Sequence, residues 1–224
     1  GYSNLKKQAY PCLGRGCTAD CTYCGGGQNA QHALTGAEKP LFITPENVIQ
    51  QLREFNELQI DSIYMGFDPC AEARSYHQTL FSLIRREGLD LGCQFELWDL
   101  VSRDFIQDFR RTFNPLFSSF VHSIQSGSEE IRKLNMGFPY TDETLFRWLD
   151  DLKTELVPFE VAFAAGLPGE TSQHFDQTIR LAQRIRENYP MVLNMYCIPL
   201  TIEPNSPMFL TPEKYGVTLK FQRF

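Results

Sequence analysis

The stretch Cys17-Thr18-Ala19-Asp20-Cys21-Thr22-Tyr23-Cys24 places three thiols within eight residues. Gly14 and Gly16 precede it and Gly25, Gly26 and Gly27 follow, so the thiols lie in a loop of small, permissive residues. Such a loop can wrap one metal centre, and soft thiolates select zinc or iron–sulfur clusters. A structural zinc site takes four protein ligands, whereas three leave one metal position open for chemistry. Here the local count ends at three. On the residues alone a zinc site stays open too, with His32, Cys12 or another distant side chain as its fourth ligand.

Outward from this loop the chain alternates strand-like and helix-like segments. Thr44-Pro45 starts a helix, with a capping hydroxyl and then proline at the first helical position. Val48, Ile49, Leu52, Phe55 and Leu58 follow at helical spacing. A strand over 61–66 is followed by a helix over 76–87 and a strand over 94–97. A helix over 103–113 leads to a strand over 120–125 and a short helix over 131–134. Thr141 caps a helix with Leu145, Trp148, Leu149, Leu152 and Leu156 on one face. A strand over 160–164 precedes a helix capped by Thr171, with Phe175, Ile179, Ala182 and Ile185 aligned, and a last strand spans 192–198.

With a first strand just before Cys12, these make about six strand–helix steps, the pattern of a parallel sheet. Six are too few for the eight of a closed TIM barrel. The expected fold is α/β, a partial (β/α)6 TIM-like barrel of parallel strands with one side open.

Bulk properties narrow the classes. At 224 residues the chain suits one domain with a substantial core, and its 18 phenylalanines supply that core with rings. No apolar run approaches the roughly 18 residues of a membrane span, and no signal peptide opens the chain, so no membrane partner is expected. A net charge of −6 counts against a wide nucleic-acid surface. The basic pairs Lys6-Lys7, Arg85-Arg86 and Arg110-Arg111 read as solvated faces. Seven cysteines, three of them crowded, do not make a secreted disulfide framework, which points to the reducing cytoplasm. Cys93 and Cys197 fall in apolar strand-like runs and read as small core residues, while Cys12 and Cys70 lie nearer the thiol loop.

The spacing C-x3-C-x2-C, with Tyr23 just before the last cysteine, resembles the cluster loop of radical S-adenosylmethionine (SAM) enzymes. The resemblance implies that Cys17, Cys21 and Cys24 hold three irons of a [4Fe–4S] cluster. It implies that the amino and carboxylate groups of SAM chelate the fourth iron. One electron then cleaves SAM to methionine and a 5′-deoxyadenosyl radical that takes hydrogen from a substrate. It further implies a partial barrel and an electron donor of flavodoxin or ferredoxin type.

Parallel α/β folds place function at the carboxyl ends of their strands, so those ends carry the rest of the resemblance. The second strand ends in Gly66-Phe67-Asp68-Pro69, where the family usually has a Gly-Gly-Glu-like turn. Phe67 and Asp68 depart from it; Asp68 offers an acceptor to the SAM ammonium, and a turn-forming Asp-Pro is the alternative. The fourth strand ends in His122-Ser123-Ile124-Gln125-Ser126-Gly127-Ser128, which resembles the family's polar turn. Gln125 and Ser126 are implied to hold the ribose hydroxyls or the methionine carboxylate, Ser128 reads as a helix cap, and His122 as a packed or hydrogen-bonded strand residue. The fifth strand ends in Ala164-Ala165-Gly166-Leu167-Pro168-Gly169-Glu170-Thr171, similar to the segment that positions adenine in many members. Ala164, Gly166 and the backbone near Tyr23 are thereby implied beside adenine. Ile198, in Tyr196-Cys197-Ile198-Pro199-Leu200, supplies an apolar edge for adenine or simply packs in the core. Catalytic proton donors and substrate residues stay unassigned.

The resemblance runs from Gly14 to about Pro207, so residues 1–224 are expected to form one radical SAM core domain. Residues 1–11 are its lead-in strand and 203–224 a proline-rich tail. The tail also resembles members that carry an N-terminal cobalamin-binding domain. The chain opens close to the cluster loop, so it is expected to be the core of a longer protein, with cobalamin, where used, bound by a domain absent from this chain. The implied reaction is C–H modification, with methyl or sulfur transfer as classes, on a small-molecule or unknown substrate. An RNA-modifying member without its RNA-binding domain and a non-catalytic zinc-stabilised binding module are the alternatives.

Overall fold

Six parallel strands hydrogen-bond side by side in the order β1-β4-β5-β6-β7-β8, the order in which the chain makes them. The computed structural model describes residues 6–66 and 74–220. Asp68 and Cys70 lie outside the described residues. The strands are β1 (Gln8–Ala9), β4 (Ser62–Met65), β5 (Gly92–Leu97), β6 (Ser119–Gln125), β7 (Phe159–Ala165) and β8 (Val192–Pro199). Helices α2 (Pro45–Glu57), α3 (Arg74–Glu87), α4 (Arg103–Thr112), α5 (Glu129–Asn135), α6 (Asp142–Thr154) and α7 (Ser172–Asn188) lie between them. Sequential parallel order with intervening helices curls a sheet toward a barrel. β1 and β8 remain as its two edges. This is the partial barrel expected from the alternation.

The helix starts are set locally. Thr44 accepts the Asn47 N–H, with Pro45 opening α2. Thr141 accepts the Thr144 N–H at 3.2 Å to begin α6. Thr171 and His174 exchange caps at the head of α7, His174 Nδ1 accepting the Thr171 N–H at 3.2 Å. Ser128 occupies the N-cap position of α5 as expected, yet its side chain makes no capping bond there.

Alternation along the strands separates two faces. Cys93, Phe95 and Leu97 of β5 and Phe120, His122 and Ile124 of β6 are buried toward the helices. There Phe81, Phe95, Phe105, Phe109, Phe113 and Phe120 interlock, Phe109 and Phe120 at 4.3 Å between ring centroids. Full burial of each ring contributes roughly 1.5–3 kcal/mol. The opposite, concave face is polar. Glu160 is buried there and accepts from Gln94 Nε2 at 2.9 Å, Asn194 Nδ2 at 3.1 Å and Tyr196 OH at 2.6 Å. That network ties β5, β7 and β8 below the cavity described next.

Several expectations need correction. On α7, Ile185 is buried and Ala182 packs on the core as expected, but Ile179 is 44% exposed and Thr178 and Leu181 complete the buried stripe in its place. Leu58 and Leu156 are exposed, each just past the end of its helix, Leu156 with a left-handed φ of 54°. Cys93 is buried as expected, but Cys197 is exposed because β8 is an edge strand. Among the described residues of the lead-in segment, Gln8–Ala9 form the strand. Among the features that escaped the sequence reading are the helix α1 (Gln28–Thr35) and the antiparallel pair β2 (Gly14–Arg15) with β3 (Leu41–Phe42).

Candidate metal and cofactor site

The thiol loop runs from β2 into α1. It is pinned at its entry, because β3 crosses so close to β2 that a Cβ on Gly14 would stand 2.2 Å from the Leu41 carbonyl oxygen. All three thiols are half-buried, and each accepts a backbone N–H. Ala19 donates to Cys17 Sγ at 3.4 Å, Gly26 to Cys24 Sγ at 3.4 Å and Gly137 to Cys21 Sγ at 3.2 Å. Donors aimed at sulfur stabilise thiolate charge and tune clusters that thiolates hold. Burial pushes the Cys21 and Cys24 thiols up, against the pull of the Gly137 and Gly26 N–H groups. Without a metal the two are therefore thiols, and binding one releases their protons.

Two distant segments clasp the loop. On one side Thr22 N–H donates to the Asn135 carbonyl at 2.9 Å and its hydroxyl donates to Asn135 Oδ1 at 2.8 Å. On the other, Met208 N–H donates to the Thr22 carbonyl at 2.8 Å, Glu203 N–H to the Tyr23 carbonyl at 3.2 Å, and Gly25 N–H to Glu203 Oε2 at 2.8 Å. A Cβ on Gly25 would meet the Pro204 carbonyl oxygen at 2.0 Å, so this approach requires glycine. The proline-rich tail is thus part of the site's frame, which the sequence did not show.

The thiols open onto a cavity of about 310 Å³ lined also by Tyr23, Glu96, Trp98, Ser123, Gln125, Met136 and Phe138. Among the residues implied to bind cofactor, Tyr23 and Gln125 therefore share one cavity with Cys17, Cys21 and Cys24. Gln125 has a left-handed φ of 69° at a register shift between β6 and β7, and such a bulge re-aims a side chain. Ser126 is placed differently. It is fully buried and its hydroxyl accepts the Ser128 N–H at 3.1 Å, so it holds the turn rather than facing the cavity. Gly66 lies beside Glu96, whose Oε2 would be 3.5 Å from a Cβ there.

Ala164 is buried with Ile131 and Leu167, and Tyr23 and Leu200 pack on that cluster. Gly166 takes a φ of 89° and its N–H donates to Glu170 Oε2 at 2.6 Å, which closes the loop tightly after β7. Ile198 is 57% exposed on the β8 edge, so it is not a core residue. Burial and the neighbouring Cys21 keep Tyr23 a neutral phenol.

Glu96, Trp98, Met136 and Phe138 were missed. Glu96 and Trp98 are two apart at the carboxyl end of β5, so alternation placed them on the concave face and the third strand end was readable. Glu96 Oε2 accepts from Tyr64 OH at 2.8 Å, and burial together with Glu96 pushes that phenol up. Met136 and Phe138 come from the α5–α6 connection, where no local pattern marks them. His122 is buried and bonded at both ring nitrogens, to Leu97 O at 3.0 Å and Tyr140 OH at 2.7 Å, as a strand residue and not a ligand.

Among the described residues no three His, Cys, Asp or Glu side chains converge closely enough to hold one metal ion. Three thiols share this loop and open onto one cavity. An open parallel barrel with such a loop after its first strand defines an iron–sulfur barrel of the SAM-cleaving class. The chain belongs to the radical SAM superfamily, whose sequence profile matches residues 12–182. Members of that family bind a [4Fe–4S] cluster and SAM.

The chain is 26% identical over 176 residues to threonylcarbamoyladenosine tRNA methylthiotransferase MtaB of Thermotoga maritima, covering 76% of this chain and 39% of that protein. It is 25% identical over 227 residues to tRNA-2-methylthio-N(6)-dimethylallyladenosine synthase of Yersinia enterocolitica, covering 96% of this chain and 45% of that protein. The chain thus spans less than half the length of these relatives. In fold it resembles the radical SAM methyltransferase TsrM of Kitasatospora setae, with a TM-score of 0.74 and 13% identity over 93% of this chain and 39% of that one. Coproporphyrinogen III oxidase (HemN) of Escherichia coli gives 0.59 and 16% over 89% of this chain and 45% of that one. Both curated relatives are named for tRNA modification, so the acidic balance of this chain does not exclude nucleic acid as a partner. Among the described residues no helix is long and apolar enough to cross a membrane.

Proposed function

We propose that the chain is the catalytic core of an enzyme that reductively cleaves SAM and modifies a C–H bond of its substrate, with sulfur or methyl transfer as the outcome. When bound, the cluster and SAM supply a 5′-deoxyadenosyl radical. The chain's residues bind, orient and exclude water. Cys17, Cys21 and Cys24 hold three irons, each sulfur steadied by its own backbone N–H. Gln125 offers an amide to ribose or carboxylate, Gly66 and Glu96 border the approach for the ammonium, and the resemblance assigns Asp68 as a further acceptor for it. Tyr23, Ala164, Gly166 and Ile198 flank adenine, with the Ser126 turn supporting Gln125 from behind. The Tyr23 carbonyl keeps a lone pair for a ligand beside the one that Glu203 engages.

The observation that carries this reading is the shared cavity of three separately hydrogen-bonded thiols with Tyr23 and Gln125. Sulfur transfer is favoured over methyl transfer because the curated relatives that match most of the chain are methylthio-transferring enzymes by name. We place residues 1–224 as one core domain of a longer cytoplasmic protein. A flavodoxin or ferredoxin type donor supplies electrons, and any cobalamin sits on another domain.

Anaerobic reconstitution with iron and sulfide, followed by a reductant and SAM, tests the proposal. About four irons per chain and SAM-dependent 5′-deoxyadenosine are expected. Tight one-to-one zinc with no SAM cleavage overturns it in favour of a zinc-stabilised module.

A further inference from the structure

Asn135 ends α5, is 1% exposed, and its amide bonds to its own helix and to two other segments. Its Oδ1 accepts from the Thr22 hydroxyl at 2.8 Å, while its Nδ2 donates to Ile131 O and to Pro168 O, both at 3.0 Å. Its own carbonyl accepts the Thr22 N–H at 2.9 Å. Thr22 lies between Cys21 and Cys24, and Pro168 lies in the turn closed by Gly166 and Glu170. One side chain therefore bridges the thiol loop and the loop after β7, two segments that do not share a strand pairing.

The chemistry of the bridge is specific to an amide. Thr22 needs an acceptor and Pro168 needs a donor, and among side chains of this size only asparagine offers both. A leucine would fill the space but leave a buried hydroxyl and a buried carbonyl unpaired, at about 1–3 kcal/mol for each. An aspartate would lose both donor bonds and bury a charge. Merely filling a gap between helix and loops does not call for this network, since an apolar side chain packs a core at lower cost.

We propose that Asn135 is a positioning residue that fixes the register between the cluster loop and the 166–171 loop. On the reading above, the three thiols place the chelating end of SAM through the cluster, and the 166–171 loop, with Tyr23, flanks its adenine. Asn135 lies outside the cavity lining, so its part is to keep the two ends at one separation. The inference rests on the proposed function for what is bound, and on the hydrogen bonds for who sets the spacing.

The test uses the reconstituted chain with Asn135→Leu, Thr22→Val and Thr22→Ser. Iron and sulfide content, the dissociation constant for SAM and the change SAM makes in the electron paramagnetic resonance of the reduced cluster are measured for each. Both Asn135→Leu and Thr22→Val are expected to take up the full cluster, bind SAM about tenfold more weakly and show a diminished spectral change. Thr22→Ser keeps the hydroxyl and restores both. The double variant Thr22→Val with Asn135→Leu should bind SAM no worse than Asn135→Leu alone.

Unchanged SAM affinity and spectrum in Thr22→Val, with only a lower melting temperature, would reduce the bridge to ordinary structure and overturn the inference. So would loss of the cluster in Thr22→Val, because the bridge would then hold the thiols and not the spacing. An unsubstituted chain that takes up no cluster overturns the parent reading, and this one with it.

Discussion

Gly137 and Cys21, 116 residues apart, meet through one hydrogen bond in which the glycine N–H donates to the cysteine sulfur at 3.2 Å. The approach is possible only without a side chain, since a Cβ on Gly137 would stand 2.2 Å from Ala19 Cβ and 3.3 Å from the Asp20 nitrogen. A residue of the α5–α6 connection thus helps define the environment of a proposed cluster ligand.

Gly137→Ala should therefore push the thiol loop away from Met136 and Gly137. The overlap is with loop atoms near backbone, not with the end of a flexible chain, so relief costs about 1–3 kcal/mol. Iron and sulfide content after reconstitution should fall severalfold while far-ultraviolet circular dichroism stays that of the unsubstituted chain. Full iron occupancy in the variant would show that the loop yields freely.

Acid should destabilise the chain through His122. Its Nδ1 faces a carbonyl, Leu97 O, so that nitrogen carries the proton and Nε2 accepts from Tyr140 OH. Burial, opposed in part by the bond to Leu97, lowers its pKa to about 4 from an ordinary 6.5. The unfolded chain then binds the extra proton between pH 6.5 and 4, so stability is constant above that window and falls as pH drops through it. The loss is on the order of 3 kcal/mol. Urea melts at several pH values, followed by the emission of Trp148, whose ring lies 5.1 Å from His122, should lose this slope in His122→Gln.

Glu96→Gln tests the acidic wall of the cavity. The amide can still accept from Tyr64, so packing is retained, but a charge facing the ligand's ammonium is removed. Charge-assisted bonds contribute roughly 1.5–3 kcal/mol, so SAM cleavage should fall about ten- to a hundredfold with iron content unchanged. Equal rates in the two proteins would place Glu96 outside the reacting complex.

Asp142→Asn tests the ion pair between buried Arg132 and half-exposed Asp142 behind the Ser126 turn. Arg132 is fully buried, donates to Ser126 O at 2.8 Å and to Tyr140 O at 3.2 Å, and pairs with Asp142 at the head of α6. Neutralising its partner leaves the buried guanidinium with neutral acceptors alone. Because the Asp142 carboxylate is 39% exposed and asparagine keeps an acceptor oxygen, the cost is about 1–3 kcal/mol. A drop of that size in denaturant melts is expected, and a change below ~1 kcal/mol would mean that water reaches the site.

The features legible in the chain are those whose causes are local. Thr44, Thr141 and Thr171 announce helices because a hydroxyl three residues before an N–H needs no distant partner. The β5 and β6 alternation and the Cys17-Cys21-Cys24 spacing are likewise complete within a few residues. Ile179 and Cys197 misled because their environment depends on what lies across from them. Which residues of α7 are buried is decided by the sheet beneath it, and the exposure of Cys197 by β8 being last in the sheet. Ser126 has a cofactor-like position in sequence, yet its hydroxyl is claimed by Ser128 two residues on.

The amino-acid order by itself determined the strand–helix alternation, the helix starts and the trio of thiols, because short-range sterics and hydrogen bonding settle them. Only the tertiary structure decided which residues frame those thiols: Asn135, Gly137, Glu203 and Met208 reach the loop from more than a hundred residues away. Contacts of that kind carry no periodicity. They exist because chain closure brings two backbones within hydrogen-bonding distance, and a glycine or an amide at the meeting point looks ordinary until its partner is in view.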